Sequence, residues 1–355
     1  MKMYYPLRSL LEHSSHFTHI PTKKEEKWRF SLLDNYLGKE YKKTSLIKKE
    51  IFCEPEEAYW ICIKDGQIVD SDIPPSLHMK LHGDSIELNC FEDIELSIYF
   101  DHSPHTFIGS NLNMILQKGV QAKLYLKYEG GEKSFISHSS NIKLEPCAHL
   151  TQTQVQDLSP EAAFILQNRL YLHENSCFKN FSLLKEGEYI HNLLQADLHY
   201  HSTFDITSLL LSHQRQRSIF SCDINHLADS STSRVLSKQV IKDNSVCVFD
   251  ALTQIAKLTK SNQAKQASHA LLLSESAQIH SKPHLEIYSD DLSASHGSTV
   301  GELDKEAISY LLSRGIQEEK ARAILISAFI NETIENVDVS AYKEKVLKIL
   351  GEDDE

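Results

Sequence analysis

The sequence predicts a mainly β protein with helices near both ends. Short runs of alternating or continuous apolar residues recur from about residue 85 to residue 300, and polar, turn-like patches separate them. No helical periodicity interrupts these runs, and a helical pattern begins only after Gly301. The runs are 86–90, 94–100, 122–128, 141–146, 164–172 and 205–211. Short strands in series are typical of a β-sandwich, a β-barrel or a β-solenoid.

The length of this β region favours the solenoid. Residues 85–300 are too many for a plain sandwich of about 100 residues. The runs also lack the Asn-Gly and Asp-Gly pairs that mark tight hairpins. A solenoid is expected to show an internal repeat, and no strict period is visible in the sequence. The sandwich and the barrel therefore remain alternatives on these grounds.

Residues 1–80 are predicted to form an N-terminal mixed helical region. A first short amphipathic helix follows from the spacing of Leu7, Leu10 and Leu11. Pro21 precedes a charged segment that contains Trp28, and this segment is also predicted to be helical. The loop around Pro74 and Pro75 is the expected boundary with the β core.

Residues 301–355 are predicted to form a C-terminal helical domain of three helices. Asp304 is positioned to cap the first helix at its N-terminus, and Gly315 is positioned to end it. The predicted apolar faces are Ala307, Ile308, Leu311 and Leu312 in the first helix, Ala321, Ile324, Leu325, Ala328 and Phe329 in the second, and Tyr342, Val346 and Ile349 in the third.

Composition excludes several classes of protein. The formal net charge is −12, which argues against a nucleic-acid-binding protein because such proteins carry a basic face. No apolar stretch is long enough to cross a bilayer, and the first residues carry no apolar signal segment, so we expect a cytoplasmic protein. The seven cysteines are widely spaced, with no C-x-x-C pair. We therefore expect reduced thiols rather than a disulfide framework or a local metal cradle.

Few residues qualify as a functional site. His296 lies among small residues in the stretch SASHGSTVG, where an imidazole would be accessible to a metal ion. The H-x-H pair of His199 and His201 would place two rings on one face of a strand, although pairs of this kind are expected by chance among 19 histidines. His102 and His105 are expected to be solvated.

Motifs of common enzyme classes are absent. The sequence contains no G-x-S-x-G, H-E-x-x-H, G-x-x-x-x-G-K-[ST] or G-x-G-x-x-G. Asp290 and Asp291 are adjacent, and on a strand they would point to opposite faces rather than form a catalytic dyad. We therefore expect no enzymatic activity.

An ordered series of motifs resembles the SufB/SufD family of iron–sulfur cluster assembly proteins. The strongest stretch is 271–329, where the matching residues are Lys282, Pro283, Leu285, Glu286, Ile287, Asp290, Asp291, Ser295, His296, Gly297, Thr299, Val300, Gly301, Tyr310, Leu311, Ser313, Arg314, Gly315 and Ile316. Two further elements match at Ser233, Arg234, Lys238 and Phe249, and at Pro21, Thr22, Glu26 and Trp28. The absence of cysteine after Cys247 favours the SufD branch of the family over the SufB branch.

This resemblance implies a fold and a set of partners. It implies a right-handed parallel β-helix with flanking helical parts, acting as a scaffold that pairs with a SufB-like subunit. The C-terminal helical domain would dock a SufC-like ABC ATPase, and the chain could form a homodimer when the SufB-like subunit is absent. The isolated chain would hold no tightly bound cofactor.

The resemblance also implies a role for His296, which would contribute one nitrogen to a transient iron or iron–sulfur cluster at the interface with the SufB-like subunit. Many relatives carry a cysteine two residues before this histidine, where the chain has Ala294. Any ligand from this stretch is therefore His296 alone.

Two other functions remain open from the sequence. One is a β-solenoid enzyme, such as a polysaccharide lyase or an acyltransferase, and the missing glycine repeats and missing signal segment argue against it. The other is a purely structural interaction module in which His296 contacts no metal.

Overall fold

The computed structural model describes residues 4–12, 14, 19–43, 59–82 and 85–334. The protein is a parallel β-solenoid of about eight turns with a few flanking helices, which confirms the predicted fold class. The strands, numbered in chain order, are β1 (Tyr4–Pro6), β2 (Glu40–Lys43), β3 (Trp60–Lys64), β4 (Gln67–Asp72), β5 (Leu77–His82), β6 (Ser85–Cys90), β7 (Ile94–His102), β8 (Thr106–Leu116), β9 (Gln121–Gly130), β10 (Phe135–Leu144), β11 (His149–Leu158), β12 (Ala163–Leu172), β13 (Cys177–Lys185), β14 (Tyr189–Leu198), β15 (Thr203–Ser212), β16 (Arg217–His226), β17 (Thr232–Ile241), β18 (Val246–Ile255), β19 (Lys260–Leu272), β20 (Gln278–Ile287) and β21 (Asp291–Gly301).

The chain alternates between two sheets. From β7 onwards, each odd-numbered strand joins one sheet, here sheet B, and each even-numbered strand joins the other, sheet A. Within each sheet, consecutive turns pair in parallel. One solenoid turn therefore consists of one strand from each sheet and the two corners that connect them.

The length of the turn varies along the solenoid. Phe107 lies beside Phe135, 28 residues later, whereas Gln254 bonds to Glu286 of the next turn, 32 residues later. Extra residues at the corners shift the hydrophobic pattern of one turn relative to the next. This variation is why no strict period is visible in the sequence.

Alternation along each strand separates a core face from an outer face. Core-facing side chains of both sheets form one cluster inside the solenoid, and aromatic residues stack there from turn to turn. Phe178 and Phe204 have ring centroids 5.8 Å apart, and Phe220 and Phe249 have centroids 6.2 Å apart. Burying each of these rings contributes about 1.5–3 kcal/mol, so the stacked interior stabilises the repeat.

The N-terminal segment covers the outer face of sheet A. It contains α1 (Leu7–Glu12), a 3-10 turn (Glu26–Trp28) and α2 (Leu33–Tyr36). The apolar residues of α1 are buried, as predicted, and pack in a second core cluster with side chains of sheet A. Around Trp28 the chain forms only the short 3-10 turn, where the sequence predicted a helix. The indole reaches the sheet, because its ring packs edge-on against His191 with centroids 4.6 Å apart.

Two helices follow the solenoid, α3 (Lys305–Ser313) and α4 (Glu318–Ile334). The predicted cap is confirmed, because the Asp304 carboxylate accepts hydrogen bonds from the amides of Glu306 and Ala307. Gly315 ends α3 with φ +81°, a conformation that favours glycine. None of the helices in the described residues combines the length and the apolar content that a membrane span requires.

The predicted faces of these helices are only partly buried. Ile308 and Ala321 are buried, whereas Leu312 is 42% exposed and Ile324 is 40% exposed. Leu312 and Ile324 belong to the predicted apolar faces but lie outside the buried part of them. The third predicted helix, with Tyr342, Val346 and Ile349, lies outside the described residues.

The two ends of the solenoid differ. At the N-terminal end, the antiparallel pairs β3–β4 and β5–β6 close the sheets. At the C-terminal end, β20 and β21 are the last strands of sheets A and B, and most of their side chains are exposed. The solenoid therefore has one closed end and one open end.

The cysteines depart from expectation at one position. Cys90, Cys147, Cys177, Cys222 and Cys247 are free thiols, and Cys62 is disulfide-bonded. Burial raises the pKa of the Cys90 and Cys247 thiols to about 12. The buried free thiols are therefore protonated and unreactive at neutral pH.

Candidate functional site

The open end of the solenoid is built from β20 and β21. His296 is exposed on β21 and lies beside Gln266 of β19. Gln266 is buried and lies beside Val235, whose side chain belongs to the core cluster. Because side chains in register share a face, His296 occupies the core-facing side of the last turn. Within residues 4–334, as far as they are described, no later turn covers this side, which explains why the imidazole reaches solvent.

The coil that carries His296 also exposes apolar and hydroxyl side chains. Ser298, two residues after His296 and on the same face, donates a hydrogen bond to the Ser281 hydroxyl of β20, with the two oxygens 2.9 Å apart. Ile287 is 45% exposed and Val300 is 52% exposed on the same coil. The last turn thus exposes a histidine on a surface whose counterpart in the earlier turns is buried.

The chemistry available to this surface is that of one nitrogen ligand. Neutral imidazole is a good ligand for iron, zinc and copper. Within the described residues, no three His, Cys, Asp or Glu side chains lie close enough together to hold a metal ion. Any metal held at His296 therefore needs further ligands from another molecule.

The N-terminal segment reaches the same coil from outside. Glu26 forms an ion pair with Lys282 of β20. The hydrogen bond and the positive charge of Lys282 lower the pKa of the Glu26 carboxyl. The Phe30 ring stacks on His280, with centroids 4.8 Å apart. The segment is thus attached to the last strand of sheet A.

A partly buried cluster of charged side chains also attaches the N-terminal segment to the preceding strands of sheet A. Lys27 Nζ lies 2.7 Å from Asp223 Oδ1 and 3.4 Å from Asp250 Oδ1, on β16 and β18. Burial lowers the pKa of Lys27, and the attraction of the two carboxylates outweighs it, so that the pKa is raised. Lys27 is therefore fully charged at neutral pH.

The hairpin of α3 and α4 packs on the outer face of sheet B. Near the end of α4, Ile330 and Ile334 contact apolar side chains of sheet B. Lys238 of β17 is nearly buried, and its Nζ donates to the Phe329 carbonyl at 2.9 Å and pairs with Glu332 at 2.5 Å. Earlier in the hairpin, Tyr310 is 58% exposed. The end of α4 is therefore anchored, while much of the hairpin faces solvent.

Comparisons with known proteins agree with these features. The family model described as "SUF system FeS cluster assembly, SufBD core domain" matches residues 101–329. The chain belongs to the SufBD family.

Individual SufBD relatives extend the match beyond the core. The iron-sulfur cluster assembly protein SufD of Escherichia coli K12 is 25% identical over 94% of this chain and 89% of its own length. SufD of Bacillus subtilis is 28% identical over 41% of this chain and 33% of its own length. The predicted family is confirmed, and membership assigns the chain a role in iron–sulfur cluster assembly.

The structure brings together motif residues that the sequence left apart. Glu26 and Lys282 come from two separate SufBD-like motifs and form one ion pair. Lys238, from a third motif, anchors α4. Nothing in the sequence indicated these pairings, because the partners are separated by 256 residues in the first case and 91 in the second.

Two sequence predictions about histidines were wrong. His199 and His201 lie in the turn after β14 rather than on a strand, so their rings do not share a strand face. His199 instead stacks on His173, with centroids 5.4 Å apart. His102 is buried, and its Nε2 lies 3.1 Å from Nε2 of His138, also buried. Burial lowers the pKa of His102, so the ring is neutral at physiological pH.

Proposed function

We propose that this protein is a non-catalytic scaffold subunit of a cytoplasmic complex that assembles iron–sulfur clusters. Its open end pairs with a SufB-like subunit, and its helical hairpin docks a SufC-like ABC ATPase. One observation carries the proposal, namely that the last solenoid turn exposes its core-facing side together with His296. Such a surface requires a partner to cover it.

The strand edges support the pairing with a SufB-like subunit. Among the strands that the structure describes, β20 and β21 end their sheets, and unpaired strand edges are templates for adding strands from another chain. Tyr288, exposed at 61%, adds apolar area beside Ile287 and Val300. When no SufB-like subunit is present, the same surface fits a second copy of this chain, which would form a homodimer.

A shared cluster site follows from this pairing. His296 would supply one imidazole nitrogen, and the SufB-like subunit would supply thiolates. Ala294 offers no thiolate from this chain, so the mixed site would be less anionic than a site of four cysteines. The iron or cluster is cargo that passes through the site and does not reside on the isolated chain.

The helical hairpin supports the docking of the ATPase. Tyr310, Leu312 and Ile324 are exposed on α3 and α4 and offer the hairpin's apolar side chains to a partner. Lys238 holds the end of α4 to sheet B, so that a force on the hairpin would reach the solenoid. A docked ATPase would therefore act on the scaffold through a fixed helix.

The experiment is co-expression with SufB-like and SufC-like partners, followed by size-exclusion chromatography with mass measurement and by visible absorbance after anaerobic reconstitution. We expect a stable complex with charge-transfer absorbance that falls in His296→Ala. The matched control is His284→Ala, because His284 is exposed on β20 of the same coil but points to the outer face.

The outcomes separate the proposal from its alternatives. Equal absorbance in His296→Ala and in the wild-type protein, with the complex intact, would leave a purely structural module. That second function is favoured by the single ligand on this chain, because no group of three ligands occurs in the described part of it. Failure to form any complex would refute the scaffold role.

A further inference from the structure

A row of polar side chains runs along the inside of the solenoid, where an apolar core is expected. The row lies on sheet B, and each member is in register with the next across consecutive turns. Its members are Gln154, Ser182, Ser208, Ser237, Ser268 and Ser298. All of them except Ser298, on the open last turn, are buried, with at most 1% of each residue exposed. One turn earlier, the same row is occupied by Leu126, a member of the apolar core.

Hydrogen bonds connect part of this row. Ser208 donates to Ser237 at 2.9 Å, and Gln239 donates to the same Ser237 hydroxyl at 2.6 Å. Ser268 donates to Gln239 Oε1 at 3.3 Å. Four side chains from three turns thus form one network inside the solenoid.

Several polar atoms near the row have no partner within the described residues. They are Gln152 Oε1, Gln154 Nε2, Gln156 Oε1, Asn180 Oδ1 and Gln266 Oε1. In a dry interior, each such atom would lower the folding equilibrium constant by about tenfold. Five of them would lower it by about 10⁵-fold, as much as a typical domain's entire folding constant of about 10³–10⁸. A dry lumen would leave these atoms unpartnered at that cost, whereas water satisfies donors and acceptors of this kind.

One end of the row lies near a surface groove, and the other end lies near His296. Gln156 donates to the carbonyl of Glu186 at 2.9 Å, and Glu186 lines an open groove of about 810 Å³ beside the N-terminal segment. Gln216 lines the same groove and has an unpartnered Nε2 atom among the described residues. At the other end, Gln266 lies beside His296.

We propose that water molecules, together with the directly bonded side chains of Ser208, Ser237, Gln239 and Ser268, form a column in the lumen of sheet B, from the groove at Glu186 to the coil that carries His296. The bound species is water, which would donate to the unpartnered amide oxygens of this region and accept from Gln154 Nε2. The column is a property of the isolated chain and does not depend on the proposed partner.

The test compares Gln154→Met with Leu126→Met, a matched substitution one turn earlier in the same row. A water column predicts that Gln154→Met lowers the melting temperature by about 2–4 °C, because water loses a partner. Leu126→Met conserves volume and is expected to change the melting temperature less. In a dry lumen the substitution would remove an unpartnered donor and would not destabilise the fold. An unchanged or raised melting temperature of Gln154→Met would therefore overturn the proposal.

A second measurement does not depend on the variants. A high-resolution crystal structure of the wild-type chain is expected to contain ordered water within hydrogen-bonding distance of Gln154 and Asn180. A lumen without ordered water at both positions would refute the column even if Gln154→Met failed to fold. Both measurements use the isolated chain, so their failure is distinguishable from failure of the scaffold role, which is read in the assembled complex.

Discussion

Buried His226 makes the protein sensitive to acid. Its ring nitrogens bond to the hydroxyls of Ser231 at 2.7 Å and Ser233 at 2.8 Å, and the side chain is fully buried. Burial lowers the pKa of His226 from 6.5 to about 4. Because the depressed pKa belongs to the folded state, the neutral ring is the form that folding favours.

The sign and the size of the effect follow from linkage. Between pH 6.5 and pH 4, the unfolded chain binds a proton at this ring and the folded chain does not, so stability falls as the pH falls. Above pH 6.5 both states are neutral and the ring has no effect on the pH dependence. At pH 5.0 the contribution of His226 is a loss of about 2 kcal/mol relative to pH 7.5.

The assay is urea unfolding of wild type and His226→Gln at pH 7.5 and pH 5.0, followed by circular dichroism. Glutamine keeps hydrogen-bonding groups for the two serines but does not titrate. We expect His226→Gln to lose about 2 kcal/mol less than wild type on going to pH 5.0, whatever its stability at pH 7.5. Equal losses in the two proteins would refute the reasoning, because they would mean that His226 is protonated in the folded state.

Three further predictions concern the N-terminal segment and the two proposed interfaces. Lys27→Met leaves Asp223 and Asp250 without their cation and should destabilise the fold by about 1–3 kcal/mol, measured by chemical denaturation at neutral pH. A free energy of unfolding equal to that of the wild type would contradict the ion cluster. Val300→Asp adds a charge to the exposed last coil and should abolish pairing with a SufB-like subunit in size-exclusion chromatography while leaving ATPase docking intact. Tyr310→Ala should have the converse effect, weakening ATPase capture at least tenfold in a titration, and loss of both interactions in either variant would mean that the two surfaces are not separate.

Local patterns predicted much of the fold. The apolar runs after residue 85 correspond to strands, and Asp304 and Gly315 lie at the ends of α3 as predicted. These features depend on neighbouring residues, and short-range periodicity and capping chemistry report them directly. The sequence was less informative before residue 80, where nothing indicated that β4 pairs with β3 and where a 3-10 turn occurs at Trp28 instead of the predicted helix.

The candidate site was predicted only in part. His296 was identified from its accessible surroundings and from the family resemblance, but its position on the core-facing side of an uncovered turn was not. His102 was expected in solvent because a polar residue in an isolated strand carries no sign of which face it occupies. The pairing with His138 depends on which residues of neighbouring turns lie side by side.

The sequence by itself determined three features: a long series of short strands, helices after Gly301, and the accessible histidine among small residues at position 296. Only the tertiary structure decided the long-range pairings, such as Glu26 with Lys282, Lys238 with Glu332, and the buried polar row from Gln154 to Ser298. The physical reason is that the turns of the solenoid vary in length. Register between turns is therefore set by packing and by the hydrogen-bond ladder of the whole stack, and it cannot be counted from one turn alone.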